Sequence, residues 1–316
     1  VSLKLQKYIE SLEKQKHDFY EIHVNAALLI DKRIVDNIEE LEYVRHIETY
    51  IRNVDNLYIY NLTNQDLSSF YNRLSKYDNI QYTNMDDFGE VQNYQFVLEH
   101  FQETKCNFGV ILKLGYYYEE DSFLTMRRYV TENDSSKMAI VTPLPLRGCE
   151  LFLTNVEDVR NCKGCNMVGT LINMKIFEEL SPLKLEYYQS MFDYEYCLRA
   201  RSKGYNIILL QNQVLRNQNY TVLERKVFMV TLTTYDYDLM DLYYQTRNRF
   251  YLWDEYKEID PAYIKLDKKL YKGERHEMKV RDRNYRDKFY IMKEAEYDYL
   301  RKVYGKYKGG NENEKN

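Results

Sequence analysis

Residues 191–210, MFDYEYCLRARSKGYNIILL, hold the densest set of groups able to do chemistry. Asp193, Glu195 and Arg199 lie on one helical stretch that stops at Gly204 and runs straight into an apolar strand. A carboxylate within hydrogen-bond reach of an alcohol can take its proton as the oxygen attacks, which is general-base work. The start of a helix favours such a charge, because its unpaired N–H groups and its dipole are positive there. Glu195 stands four residues before Arg199, so the two are expected to form an i,i+4 ion pair on the helix surface. Gly204 suits the position after the helix, and Arg201 and Lys203 suit its last turn. An ordinary capped surface helix carries the same residues, so they specify a reaction only in context.

Other constellations are weaker. CKGC at 162–165, with Cys149 nearby, invites a zinc reading, but a structural zinc needs four ligands and the five His are scattered. Buried free thiols are the commoner case for such cysteines. FGEVQNY at 88–94 has a single Gly and no Gly-x-Gly-x-x-Gly, and neither a phosphate loop nor a Gly-x-Ser-x-Gly nucleophile turn occurs.

The elements that must position these groups alternate. Ile22, Val24, Ala26, Leu28 and Ile30 in 20–30 share one period-two face and read as a strand. A helical pattern follows over 37–54, with Ile38, Leu41, Val44, Ile47 and Ile51 in register. Strands at 57–60 and 79–83 enclose a helix at 66–77, and a further helix spans 90–102. Short apolar runs at 108–112, 138–143, 166–172 and 205–210 complete the strand set. This order predicts an α/β fold with a mostly parallel sheet covered on both faces, whose ligands sit at the carboxyl ends of the strands. From about 238 the strand signals stop. A long helix is expected over 238–256, Pro261 breaks it, and further helical stretches include 287–307.

Composition bounds the reading. The chain has 316 residues, 44% of them apolar, enough for a large core. No run of about 18 apolar residues suggests a membrane span. Residues 1–17 read as an amphipathic helix rather than a signal peptide, so reduced thiols in a cytoplasmic protein are expected for the five cysteines. A net charge of −4 argues against nucleic-acid binding. The charge is uneven, however: residues 262–309 hold 15 Lys and Arg against 8 Asp and Glu, a basic segment on an acidic body.

The order of motifs resembles the family-two glycosyltransferases of GT-A fold, in particular their bacterial rhamnosyltransferase-like branch. FDYEYCLRARSKGYNI carries the strongest likeness, followed by GCNMVGTLINMKIFEEL upstream and DLYYQTRNRFYL downstream, with AEYDYLRKVYGKYKG a fainter echo. The resemblance implies inverting transfer of a sugar from a nucleotide-sugar donor to an acceptor hydroxyl on a glycan, glycolipid or glycoprotein. It places Asp193 as the base, with Glu195 and Arg199 on the acceptor side. Asp87, Gly89 and Asn93 fall where the family's loop approaches the donor.

Three motifs depart from the family pattern. Its metal-binding Asp-x-Asp aligns with Lys113 and Gly115, neither of which is a ligand for Mg or Mn. Glu119, Glu120 and Asp121 lie just downstream and read better as the start of a helix. The Asp that meets the nucleotide base aligns with Asn61, and a His near the metal is replaced by Arg216 or Asn217. Two explanations compete: a metal-independent transferase in which Lys113 and Arg216 neutralise the diphosphate, or a catalytically inactive subunit that scaffolds a partner transferase.

The expected organisation is an N-terminal helix over 1–17, a GT-A-like Rossmann-type domain over 18–237, a basic helical extension over 238–309 and a disordered tail over 310–316. The extension has two readings. It binds the anionic inner face of the cell membrane, or it packs on the body or forms a contact with a second copy or a partner transferase.

Overall fold

The computed structural model describes residues 22–147, 159–219, 222–227, 230–235, 238–282 and 284–309. The expected helix over 1–17, the tail over 310–316 and Cys149 lie outside the described residues. Two compact units emerge. The first comprises the described residues within 1–87, 96–181 and 204–218, the second those within 88–95, 182–203 and 219–316.

The first unit is built on one sheet. Its strands are β1 (Val24–Ile30), β2 (Asn56–Asn61), β3 (Ile80–Asn84), β4 (Phe108–Lys113), β5 (Tyr116–Tyr118), β6 (Met138–Arg147), β7 (Val159–Asn161), β8 (Leu171–Asn173) and β9 (Asn206–Asn217). The order is β3-β2-β1-β4-β8-β6-β9-β5, with β7 also on β9. The β3-β2-β1-β4 block is parallel, and so is β6 with β9. β8 runs antiparallel between β4 and β6, while β5 and β7 run antiparallel to β9. The fold is therefore the expected α/β sheet, mostly parallel, with short antiparallel insertions.

Two local expectations change. All seven residues of β1 are buried, not one face of it, because a central parallel strand is covered on both sides; Asn25, Ala27 and Leu29 are as deep as their neighbours. The run at 166–172 forms a strand only from Leu171. Gly169, at φ 67°, turns the chain before it, and a Cβ there would lie 2.5 Å from Leu215.

The helices α1 (Asn37–Glu48), α2 (Ser68–Leu74), α3 (Glu90–Glu103), α4 (Ser122–Glu132) and α5 (Met174–Leu180) connect these strands. Asp36 caps α1 by accepting from the N–H groups of Ile38 and Glu39. α1 ends before Ile51, and Ile38 and Leu41 at its start are exposed.

The second unit holds α6 (Phe192–Ser202), a hairpin of β10 (Val222–Val227) and β11 (Val230–Tyr235), and three long helices: α7 (Leu239–Tyr256), α8 (Pro261–Arg281) and α9 (Tyr285–Leu300). Asp238 caps α7 through two N–H groups. Pro261 both ends the preceding turn and opens α8 at a position where its missing N–H costs nothing, with Asp260 as cap. Lys288 and Asp282 form an ion pair of 2.8 Å near the α8–α9 corner, 3% and 1% exposed.

Candidate functional site

Asp193 is the second residue of α6 and is buried at 4% exposure. Its Oδ1 accepts from the N–H of Tyr194 at 2.9 Å. The helix starts there because the chain before it is bent sharply. Tyr188 (φ 64°, ψ −47°) is the centre of a γ-turn of the rare positive-φ form, closed by the Gln189 N–H on the Tyr187 carbonyl at 2.8 Å. Ser190 and Met191 follow at φ 59° and 66°. A left-handed conformation costs a non-glycine residue roughly 1–2 kcal/mol, and such strain persists only where surrounding groups over-determine it.

Those groups are present in the same unit. Asn248, fully buried on α7, donates its amide N–H groups to the carbonyls of Tyr187, Gln189 and Ser190 at 3.0, 2.7 and 3.1 Å. Arg247, equally buried, donates to the Tyr187 carbonyl at 3.0 Å and to the Gly305 carbonyl at 2.8 Å. The N–H of Val91 takes the Tyr188 carbonyl at 3.1 Å, and the Glu90 carboxylate accepts from the Ser190 N–H at 3.2 Å. Four consecutive carbonyls before Asp193 are thus held. Behind the loop, the rings of Phe192 and Tyr94 meet edge to face at 5.2 Å.

Gly89, expected near a donor, lies against this loop, and Asn93, expected there too, fixes the turn just before α3. Gly89 sits at φ 100°, where a Cβ would lie 2.4 Å from the Tyr188 ring. Asn93 is buried and its Oδ1 accepts from the Phe88 N–H at 3.2 Å.

Glu195 and Arg199 form the expected pair at 3.0 Å, but not on the surface. Glu195 is 1% exposed, and Tyr256 of α7 donates its hydroxyl to the other carboxylate oxygen at 2.7 Å. Burial raises the Glu195 pKa, and the Arg199 charge and the Tyr256 hydrogen bond oppose that rise. Arg199 also donates to the Pro182 carbonyl at 2.8 Å. The pair therefore ties α6 to its own unit.

The remaining candidates lie in the first unit. Asn61 ends β2 and is buried; its amide donates to the Gln65 carbonyl and the Asn84 side chain and accepts from the N–H and hydroxyl of Thr63. All four of its hydrogen-bonding positions are filled by protein, so a nucleotide would meet this side chain only by displacing one of them. Lys113 ends β4, beside β1, and its ammonium lies 3.2 Å from Asp31, the residue after β1. Asp31 had no signal beyond its place at the end of an apolar strand. Arg216 on β9 pairs with Glu119, next to the β5 strand that β9 also holds. Asp87 is exposed, between β3 and α3.

A divalent cation, implied by the resemblance, does not fit these residues. The aligned position offers an ammonium where a hard oxygen ligand is needed, and Asp31 and Glu119 are each turned to a cation of the chain itself. Among the described residues no three His, Cys, Asp or Glu side chains stand together as a metal site. Cys106, Cys162, Cys165 and Cys197 are free thiols.

No protein-family model matches the sequence, and no curated protein matches it either. The structure is similar to GalNAc-T7 with UDP, GalNAc and Mn²⁺, at a TM-score of 0.51 and 8% identity, over 62% of this chain and 43% of that one. The chain thus spans less than half the length of that protein. It also resembles S. aureus TarS 1–349 in complex with UDP (TM-score 0.49, 9% identity, 89% and 72% of the chains). The mannosyltransferase PcManGT from Pyrobaculum calidifontis, in complex with GDP-Man and Mn²⁺, gives 0.46 at 9% identity over 66% and 64%. The chain has a GT-A glycosyltransferase-like fold.

Proposed function

We propose that this protein is an inverting glycosyltransferase of the rhamnosyltransferase-like branch that moves a sugar from a nucleotide-sugar donor to an acceptor hydroxyl without a divalent metal, in the synthesis of a bacterial surface glycan or glycoconjugate. The observation that carries the reading is Asp193: a buried carboxylate at the start of α6, held there by a strained and fully braced loop. Backbone strain of this kind clusters at functional sites, which supports the reading. Asp193 accepts the proton of the attacking hydroxyl. Lys113, at the carboxyl edge of the parallel strands, meets the diphosphate, and Arg216 is the second cation available to it. Glu195 and Arg199 serve the acceptor side indirectly, by fixing α6.

The test is donor hydrolysis and transfer across a panel of nucleotide sugars, with Mn²⁺ and with EDTA. Turnover insensitive to EDTA and lowered by 10²–10⁴-fold in Asp193→Asn is expected. Full activity in that variant ends the catalytic reading. The rival, a non-catalytic subunit, draws support from the pairing of Lys113 with Asp31 and of Arg216 with Glu119; it predicts no binding of any nucleotide.

The basic extension adds a peripheral membrane role to the proposal. Lys265, Lys268, Lys269 and Lys272 follow an i, i+3, i+4, i+7 spacing on α8 and are all exposed, as is Lys279 one further heptad on. Each Lys near an anionic leaflet contributes on the order of 1 kcal/mol. Among the described residues no helix is long and apolar enough to cross a membrane. Co-sedimentation with phosphatidylserine vesicles at low salt, lost at high salt, is the expected result. Failure to sediment would leave the lysine face to a second copy or a partner transferase.

A further inference from the structure

We infer that Arg247 and Asn248 are positioning residues for the Asp193 carboxylate, acting through the 187–191 loop. This rests on the reading of Asp193 as the base. Each step lies within the second unit. Asn248 spends its amide on three carbonyls of that loop and Arg247 adds a second bond to Tyr187. The two side chains also bond each other, Arg247 Nε to Asn248 Oδ1 at 3.1 Å, which fixes the orientation of the amide so that its N–H groups face the loop. The loop cannot relax to ordinary dihedral angles while those carbonyls are held, and its last residue, Met191, is the one that sets the start of α6: its carbonyl accepts the first helical hydrogen bond, from Glu195 at 3.0 Å. Asp193 lies two residues beyond Met191. Its direction is therefore set by an amide 55 residues later in the chain.

Helix packing alone does not explain this arrangement. An Arg and an Asn at zero exposure in an aromatic helix are costly to bury, and apolar residues would pack α7 as well. The donors are aimed at carbonyls of one strained loop, where an apolar residue could not serve. Glu90 and Val91 of α3, with Gly89 just before it, brace the loop from the other side, so the clamp closes on it from two elements.

The test uses the full chain. Asn248→Asp keeps the shape of the side chain but replaces two donors by an acceptor facing three carbonyls. Arg247→Lys keeps the charge, and serves as the second variant if Asn248→Asp does not fold. Two measurements are made on protein verified as folded by near-ultraviolet circular dichroism. Amide hydrogen exchange of 188–195 should accelerate at least about tenfold while that of 242–252 on α7 stays close to wild type, the sign of local opening. Turnover should then fall about 10–100-fold in kcat with the donor KM little changed, as expected when a base is displaced by about an ångström. Unchanged exchange at 188–195, or exchange that rises equally along α7, overturns the inference. An unchanged kcat in a variant whose loop does open overturns it too. If the wild-type chain turns over no donor, the transferase reading fails, and the exchange measurement alone still decides whether the clamp holds the loop.

Discussion

Arg199→Met removes the nearest cation from a buried carboxylate, that of Glu195. Glu195 is 1% exposed and its charged form is supported by Arg199 at 3.0 Å and the Tyr256 hydroxyl at 2.7 Å. Removing one partner of a buried pair costs about 3–5 kcal/mol, because the remaining charge stays in a poor solvent. Part of that loss depends on pH, with a definite sign. Burial already raises the Glu195 pKa above its ordinary value of 4.5. A raised carboxyl pKa means that the folded protein binds the proton more tightly than the unfolded chain, so stability falls as pH rises from the unfolded value towards the folded one. Without Arg199 the folded value climbs further, and each added pH unit of that window costs up to about 1.4 kcal/mol. The deficit of the variant should therefore be about 3–5 kcal/mol at pH 7.5 and smaller by roughly 1–3 kcal/mol at pH 5.5. The lost bond to the Pro182 carbonyl contributes equally at both. Trp253, the single tryptophan, sits on α7 in the same unit and reports its unfolding in urea by fluorescence. A deficit that is equal at the two pH values, or larger in acid, would refute the argument that the charge of Glu195 is the quantity at stake.

Gly89→Ala should destabilise by roughly 2–4 kcal/mol, from a positive φ and overpacking against Tyr188; a urea midpoint within error of wild type would contradict the close approach. Lys288→Met leaves Asp282 buried and alone and should cost about 3–5 kcal/mol, while the double substitution with Asp282→Leu should recover most of it in a double-mutant cycle. If Lys113 meets the diphosphate, Lys113→Met should weaken UDP or GDP binding by about 10-fold or more and Asp31→Asn should strengthen it, since Asp31 now neutralises that ammonium. Calorimetric affinities that both variants leave unchanged would remove Lys113 from the donor site.

Much of the architecture was legible because local chemistry announces it. Asp238 and Pro261 mark helix starts, Gly204 marks a stop, and the apolar runs mark β1, β2, β4 and β9. What could not be read depends on partners distant in sequence. Glu195 looked like a surface charge because the hydroxyl that accompanies it into the interior belongs to Tyr256. The positive φ values at Tyr188, Ser190 and Met191 carry no sequence signal, since glycine is the usual marker and none is there. Arg247 and Asn248 sit in YYQTRNRFYLW, where polar groups flanked by rings on a helix could have been taken as a hint of burial. Asn61 stands out in the sequence only by its alignment, and its appetite for local turn bonds could not be weighed without the residues around it.

Arg247 grips two carbonyls at once, one before α6 and one at Gly305. During synthesis this couples distant events in time. The bend before α6 lacks its full complement of restraints until residue 305 has left the ribosome. A nascent or clipped chain ending short of that glycine would contain the whole 187–191 loop yet hold the arginine that braces it by one carbonyl fewer.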